Sequence, residues 1–154
     1  MTGKTFLKLM VVTAIILGIG AIPVAGAAVP PMPDWSVVFV AHRGLAPGYP
    51  ENTLAAYRQA IKLGAEVLEI DLRGTKDGEV VIVHDDTLER TTNGKGKVTD
   101  YTLAELKKLD AGQGERIPTY EETLKVVAGT GVKLLLDIKE SPVLDKKKVV
   151  KLTR

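Results

Sequence analysis

VVFVAHRGLAPGYPENTLAAYRQAIKLGAEVLEIDLR, residues 37–73, is the stretch that decides the fold. It opens on a continuous apolar run, Val37 to Ala41, which reads as a buried strand. Thr53 to Leu63 follows as a helix: Asn52 or Thr53 can cap it, Leu54, Tyr57 and Ile61 repeat at helical spacing, and Gly64 stops it. Val67 to Arg73 is a second strand, with Leu68, Ile70 and Leu72 on one face and Val67, Glu69, Asp71 and Arg73 on the other. Strand, helix, strand with apolar strands predicts an α/β fold with a largely parallel sheet.

Working outward, Thr75-Lys76-Asp77-Gly78 is a turn, and Glu79 to Val83 is a third strand. The Asp-Gly pair suits a tight hairpin and an antiparallel partner. A parallel partner requires the chain to loop back without a helix, and the sequence leaves both pairings open. Asp85 to Thr99 is loop-rich. Thr102-Leu103-Ala104-Glu105 is a capping box that opens a short helix, and Thr119-Tyr120-Glu121-Glu122 opens another that ends near Gly129 or Gly131. Val132 to Lys139 is a strand, and Asp145 starts one more helix.

The chain has two histidines, and each ends an apolar run. His42 follows Val37 to Ala41 and is followed by Arg43; His84 follows Val80 to Val83 and is followed by Asp85. Histidine alone titrates near neutral pH without perturbation, so two imidazoles at strand ends point to an acid/base pair. Singly, each reads as structural: His42 bonded to a backbone carbonyl, His84 paired with Asp85. Glu69 and Asp71 point the same way from one strand, roughly 7 Å apart along it. Two carboxylates on a buried face repel each other and are costly to desolvate, and a divalent cation relieves both problems. Asp137 repeats the geometry on a later strand, with Lys139 two residues on. An oxygen-only donor set favours Mg²⁺ or Ca²⁺ over zinc. The plainer alternative is ion pairing of Glu69 with Arg73 or Arg43, and of Asp137 with Lys139.

The chain has 154 residues, enough for one domain of ordinary size, and no cysteine, which excludes disulfides, thiolate metal sites and a lipoprotein anchor. Residues 1–28 stand apart: Lys4 and Lys8 precede an apolar stretch from Leu9 to Val24, and Ala25-Gly26-Ala27 fits a signal-peptidase site. The expectation is a secretory signal cleaved near Ala27 or Ala28. The alternative is an uncleaved membrane anchor, since Leu9 to Ala28 is twenty residues. Either way the destination is secreted, periplasmic or cell-envelope. Residues 29–36 read as a linker and 37–154 as the domain. Removing residues 1–27 takes away two lysines and leaves 19 basic against 19 acidic residues. No basic arm argues for nucleic acid.

Several stretches together resemble the glycerophosphodiester phosphodiesterase family, within the phospholipase-C-like phosphodiesterases: AHRGLAPGYPENTLAAY, EVLEIDLRGTKDGEVVIVHDDTLERTTNGKGKV, ERIPTYEETL and KLLLDIK. The order HRG, PENT, ExD, TKDG, HDxTLxRTTNGxG and IPTxEE is the specific part of the likeness. The resemblance implies a TIM (β/α)₈ barrel with its site at the C-terminal ends of the strands. It implies hydrolysis of small-molecule glycerophosphodiesters to glycerol 3-phosphate and an alcohol, with one Ca²⁺ or Mg²⁺ ion. His42 and His84 are then the general acid/base pair, and Glu69, Asp71 and Asp137 the metal ligands. Arg43 stabilises phosphate charge, Lys139 assists, and Glu51 lies beside the metal. The segment from Thr87 to Pro118 resembles the family's insertion at the barrel mouth, in short form.

Two departures follow. The family usually carries glutamate where this chain has Asp137. A complete barrel needs roughly 250 residues, whereas this chain offers about half that and four strands at most, so the expectation is an N-terminal half-barrel. Two other readings accompany the enzyme: a truncated, non-catalytic fragment or phosphodiester-binding half-barrel that self-associates through its open edge, and a sphingomyelinase D-type or phosphoinositide-type phospholipase. TKDG and RTTNG favour the glycerophosphodiester branch.

Overall fold

The computed structural model describes residues 37–154, so the signal and linker expected over 1–36 lie outside the described residues. Among the described residues no helix is long and apolar enough to cross a membrane. Four strands form one sheet: β1 (Val40–Ala41), β2 (Val67–Gly74), β3 (Val80–Ile82) and β4 (Lys133–Ile138). Four helices accompany it: α1 (Leu54–Lys62), α2 (Leu103–Leu106), α3 (Tyr120–Val127) and α4 (Lys146–Thr153).

β2 is the centre of the sheet. β4 runs parallel along it from Val67↔Lys133 to Leu72↔Ile138. β1 is parallel to its beginning, with Val40↔Val67 and Ala41↔Leu68. β3 is antiparallel to its end, with Leu72↔Ile82 and Gly74↔Val80. The hairpin reading of the Asp-Gly turn is therefore the one that forms. A strand has two edges, so β1 and β3 must share the edge of β2 that β4 leaves free.

The helix starts follow the sequence closely. Thr53, not Asn52, caps α1 by accepting from the Ala56 N–H. Thr102 with Glu105 and Thr119 with Glu122 each form a complete capping box, and Asp145 caps α4. Each such cap satisfies amide donors that the first helical turn leaves unpaired, a stabilisation of about 1 kcal/mol.

Two apolar clusters make up the core. The first contains Leu68, Ile70 and Leu72 from β2, Tyr57 and Ala60 from α1, Tyr120 from α3 and Val149 from α4. The second contains Val81, Val83, Leu88, Val98, Leu106, Ala111 and Ile117. β3 is the wall between them, because Val80 and Ile82 face the first cluster while Val81 and Val83 face the second. The insertion from Thr87 to Pro118 thus has its own core. It returns beside β3, where Ile82 N–H donates to Pro118 O at 2.9 Å.

One strand differs from expectation. Val37 to Ala41 is not a buried strand: only Val40–Ala41 pair, and Val37, Val38, Phe39 and Val40 are 42–87% exposed. A continuous apolar run needs cover on both faces, and among the described residues it has β2 on one edge and little else. β4 is likewise open, with Leu135 and Ile138 exposed.

Candidate active site

The sheet register carries both histidines to neighbouring levels of one edge of β2. Ala41 lies opposite Leu68, so His42 leaves β1 level with Glu69. Ile82 lies opposite Leu72 and Val83 N–H donates to Asp71 O at 3.0 Å, so His84 leaves β3 level with Ile70. One strand runs up the edge of β2 and the other down it, and they end facing each other. Had β3 been parallel, His84 would have been carried away from Glu69.

The His42-Arg43-Gly44 turn is bent tightly onto α1. Arg43 has a left-handed backbone (φ 54°), which non-glycine residues adopt rarely. At Gly44 (φ 68°) a Cβ would come within 2.5 Å of the Tyr57 ring. The bend aims the Arg43 N–H at Glu69 Oε2, 2.8 Å away. Asn52, also left-handed (φ 56°), donates its own N–H to Arg43 O. Left-handed non-glycine residues persist where surrounding contacts over-determine them, and here each holds the other.

The carboxylates meet on the polar face of β2. Glu69 and Asp71 are buried, and Asp137 sits opposite Asp71 across the parallel pairing with β4. One oxygen from each of the three lies within 4.8 Å of the others. Asn52 Nδ2 donates to Asp71 Oδ2 at 2.8 Å, and the Tyr57 hydroxyl donates to Asn52 Oδ1 at 2.8 Å. Burial, helped by the charges of Asp71 and Glu69, raises the Tyr57 pKa far above the usual phenol value, which keeps it a donor. Arg43 Nε approaches Asp71 Oδ2 at 3.6 Å. Lys139 Nζ stands 2.9 Å from Asp71 Oδ1, off the line of a hydrogen bond, so that buried oxygen has no hydrogen-bond donor.

Lys139 also bonds Asp137 Oδ2. That bond lowers the Asp137 pKa, with the charges of His84 and Arg43 adding to it. Burial pushes the Lys139 pKa down, but its bond to Asp137 and the nearby negative charge of Asp71 outweigh this and raise it. The expected pairing of Asp137 with Lys139 therefore forms; Glu69 meets Arg43 only at its backbone N–H, while the Arg43 guanidinium lies toward Glu51 and Asp71. The pairing of Glu69 with Arg73 does not form: Arg73 donates instead to His84 O at 3.0 and 2.7 Å.

The three carboxylates fit a hard divalent cation. Two are buried, their oxygens converge, and one buried oxygen lacks a hydrogen bond. Glu51 is not in that cluster. Its side chain accepts from Arg43 Nη1 at 3.2 Å and twice from Arg90, at 2.7 and 2.8 Å.

The histidines have unlike surroundings. The His42 side chain is 62% exposed, with Nε2 3.9 Å from Glu69 Oε2. His84 Nδ1 lies 2.6 Å from Asp85 Oδ1, and Glu51, Asn52 and His84 line one small cavity. Arg90 donates to both Asp85 oxygens, at 2.6 and 3.0 Å. Those bonds are the largest cause of a strongly lowered Asp85 pKa, with His84 contributing. Arg90, Asp85, Asn52 and Tyr57 are thus part of the site although sequence reasoning gave none of them such a role. The available signal was the RTTNG stretch for Arg90 and the PENT stretch for Asn52.

Comparison with known proteins agrees with this geometry. A family model, the glycerophosphoryl diester phosphodiesterase family, matches residues 42–153. A glycerophosphodiester phosphodiesterase of Caldanaerobacter subterraneus is 46% identical over 112 residues, covering 68% of this chain and 46% of that protein. The crystal structure of a glycerophosphodiester phosphodiesterase from Agrobacterium tumefaciens superposes with a TM-score of 0.72 at 35% identity, over 77% of this chain and 53% of that one. An Oleispira antarctica phosphodiesterase, in complex with the product sn-glycerol-3-phosphate, superposes at 0.64 with 44% identity, over 67% of this chain and 44% of that one. The chain spans about half the length of the relatives it matches.

Proposed function

The chain belongs to the glycerophosphoryl diester phosphodiesterase family, and from that premise we propose that it hydrolyses glycerophosphodiesters to glycerol 3-phosphate and an alcohol. The observation that carries the reading is the Glu69–Asp71–Asp137 cluster on β2 and β4, with His42 and His84 following the two strands that pair along the other edge of β2.

The side chains fit the chemistry. One histidine takes the proton of the substrate's 2-hydroxyl as that oxygen attacks phosphorus. The other gives a proton to the alcohol whose P–O bond breaks. Water then opens the cyclic phosphate with the two roles reversed. Arg43, whose guanidinium lies 3.2 Å from Glu51 Oε1 and 3.6 Å from Asp71 Oδ2, brings positive charge to the site and would stabilise the charge that grows on the phosphoryl oxygens. Glu69, Asp71 and Asp137 would hold one Ca²⁺ or Mg²⁺. When bound, that ion supplies electrostatic stabilisation of the phosphoryl oxygens. Lys139 holds Asp71 and Asp137 together and assists. Export to the periplasm, envelope or medium through residues 1–28 belongs to the same proposal.

The test is release of glycerol 3-phosphate from glycerophosphocholine in Ca²⁺ or Mg²⁺, by this chain and by the same chain extended through any reading frame downstream of Arg154. Release that stops with EDTA is expected. Lipid cleavage to a stable cyclic phosphate, with no glycerol 3-phosphate from either protein, overturns the reading.

A second reading is favoured by the exposed Leu135 and by the outer edge of β4, which has no strand partner among the described residues. In it the half-barrel associates with another copy along β4 and binds phosphodiesters. A monomer at all concentrations by light scattering excludes it.

A further inference from the structure

We propose that Arg90 is a positioning residue that fixes the His84 imidazole through Asp85 and ties it to the Glu51–Arg43 side of the site; the catalytic part of this rests on the function proposed above. Arg90 donates to four carboxylate oxygens. Nε and Nη2 meet the two oxygens of Asp85 at 2.6 and 3.0 Å, and Nη1 and Nη2 meet the two of Glu51 at 2.7 and 2.8 Å. A planar guanidinium holds a carboxylate by two parallel bonds and so fixes its orientation as well as its place.

The consequence runs through single atoms. Asp85 Oδ1 is shared between His84 Nδ1 and Arg90. With both Asp85 oxygens pinned, the carboxylate cannot rotate, and the imidazole is held by its Nδ1. Nε2 is then the nitrogen left for proton transfer. On the other side Glu51 Oε1 is shared between Arg90 and Arg43 Nη1. One side chain therefore links the partner of His84 to the partner of Arg43.

Arg90 is itself well anchored, although its side chain is half-exposed. Leu88, two residues before it, is fully buried in the second core. Thr92, two residues after it, returns both its N–H and its hydroxyl to Leu88 O, at 3.0 and 2.7 Å. The insertion thus has a second use besides covering β3: its core holds the clamp. A purely structural ion-pair network would join the insertion to the PENT loop without controlling the imidazole.

Having two histidines makes the distinction measurable. In the ring ¹⁵N spectrum of the whole chain, His84 is expected as a single tautomer with Nδ1–H toward Asp85. In Arg90→Met it should become a mixture of exchanging tautomers while His42, outside the network, keeps its signals. On the activity side, kcat should fall about 10-fold or more with KM nearly constant, as for loss of an outer partner that orients an active-site group. Arg90→Lys keeps the charge but not the fork, and serves if the methionine variant does not fold. Unchanged His84 signals in a folded Arg90 variant overturn the proposal whatever the activity does. Loosened His84 signals with unchanged kcat overturn its catalytic half. If neither protein hydrolyses any glycerophosphodiester, the spectrum still decides the positioning.

Discussion

Two apolar runs of the same kind, VVFV at 37–40 and VVIV at 80–83, each deliver a histidine to the site, and they end in opposite environments. Val80 to Val83 are at most 4% exposed, because the first core covers one face and the insertion covers the other. Val37 to Val40 are at least 42% exposed. The lesson is that a continuous apolar run states a need for cover and not its source. β3 finds the cover of its second face in the insertion that follows it, Thr87 to Pro118. It delivers His84 already bonded to Asp85 and clamped by Arg90, whereas β1 delivers His42 on an open side.

The largest expected effects fall on the β1 histidine and on the carboxylate face of β2. His42→Ala and Glu69→Ala should each reduce hydrolysis to background, as should EDTA; full activity of His42→Ala refutes its assignment. Positioned proton transfer alone contributes roughly 10²–10⁴-fold. Stability separates the two histidines. His42→Ala should shift thermal unfolding within about 0.5 kcal/mol, as an exposed side chain does. His84→Ala should lose about 1 kcal/mol with the bond to Asp85. Equal losses would erase the contrast.

A direct test lies in the apolar runs themselves. Val81→Ala removes two methyl groups from a fully buried site and should cost about 2 kcal/mol in denaturant unfolding. Val38→Ala should cost less than about 0.5 kcal/mol. A large loss at Val38 would mean that β1 is covered after all.

A smaller effect is expected where the β1 side is tied down. Tyr57→Phe removes the donor to Asn52 Oδ1 and leaves that buried oxygen unpaired, a loss of about 1–2 kcal/mol. Asp71, released from a fixed Asn52, should then show weaker cation binding by calorimetry. Undisturbed binding would show that Arg43 and Lys139 suffice to hold it.

Acid should loosen the β3 side. The Glu51 pKa is lowered, chiefly by its bond from Arg90, and the Asp85 pKa is lowered by the same residue. A carboxylate with a lowered folded-state pKa stabilises the fold above its unfolded pKa, and that contribution fades as pH falls through the folded value. Amide protection in the insertion, at Leu88 and Val98, taken relative to each amide's intrinsic exchange rate, should therefore fall as pH drops below about 4. No loss of protection relative to the β2 amides would mean that the second core, and not the clamp, holds the insertion.

Much of this was legible in the residues. The alternation of β2, both capping boxes and the carboxylate face follow from local periods of two and 3.6. The pairing of β3 stayed open because the Asp-Gly turn is a local signal and its rival depended on contacts elsewhere in the chain. The exposure of Val37 to Val40 was hidden because hydrophobicity says nothing of what stands opposite. Arg90 was hidden because its partner Glu51 lies 39 residues away, and no period in a sequence links two such positions. Asn52 looked like a cap. Thr53 took that role, which frees Asn52 for Asp71.

The smallest effect expected is at the position where the chain departs from the usual glutamate. Asp137 is one methylene shorter, yet its oxygen falls within the same 4.8 Å cluster as those of Glu69 and Asp71. The in-register pairing with Asp71 brings its backbone close enough for a short side chain to reach. Half-exposed and bonded to Lys139, it has room to lengthen. Asp137→Glu should therefore change Ca²⁺ or Mg²⁺ affinity by less than about tenfold, under about 1.4 kcal/mol, with unchanged unfolding. Isothermal titration reads the difference. A larger loss would mean that the register, and not the side chain's reach, sets the third ligand, and that β4 is as rigidly placed as β3.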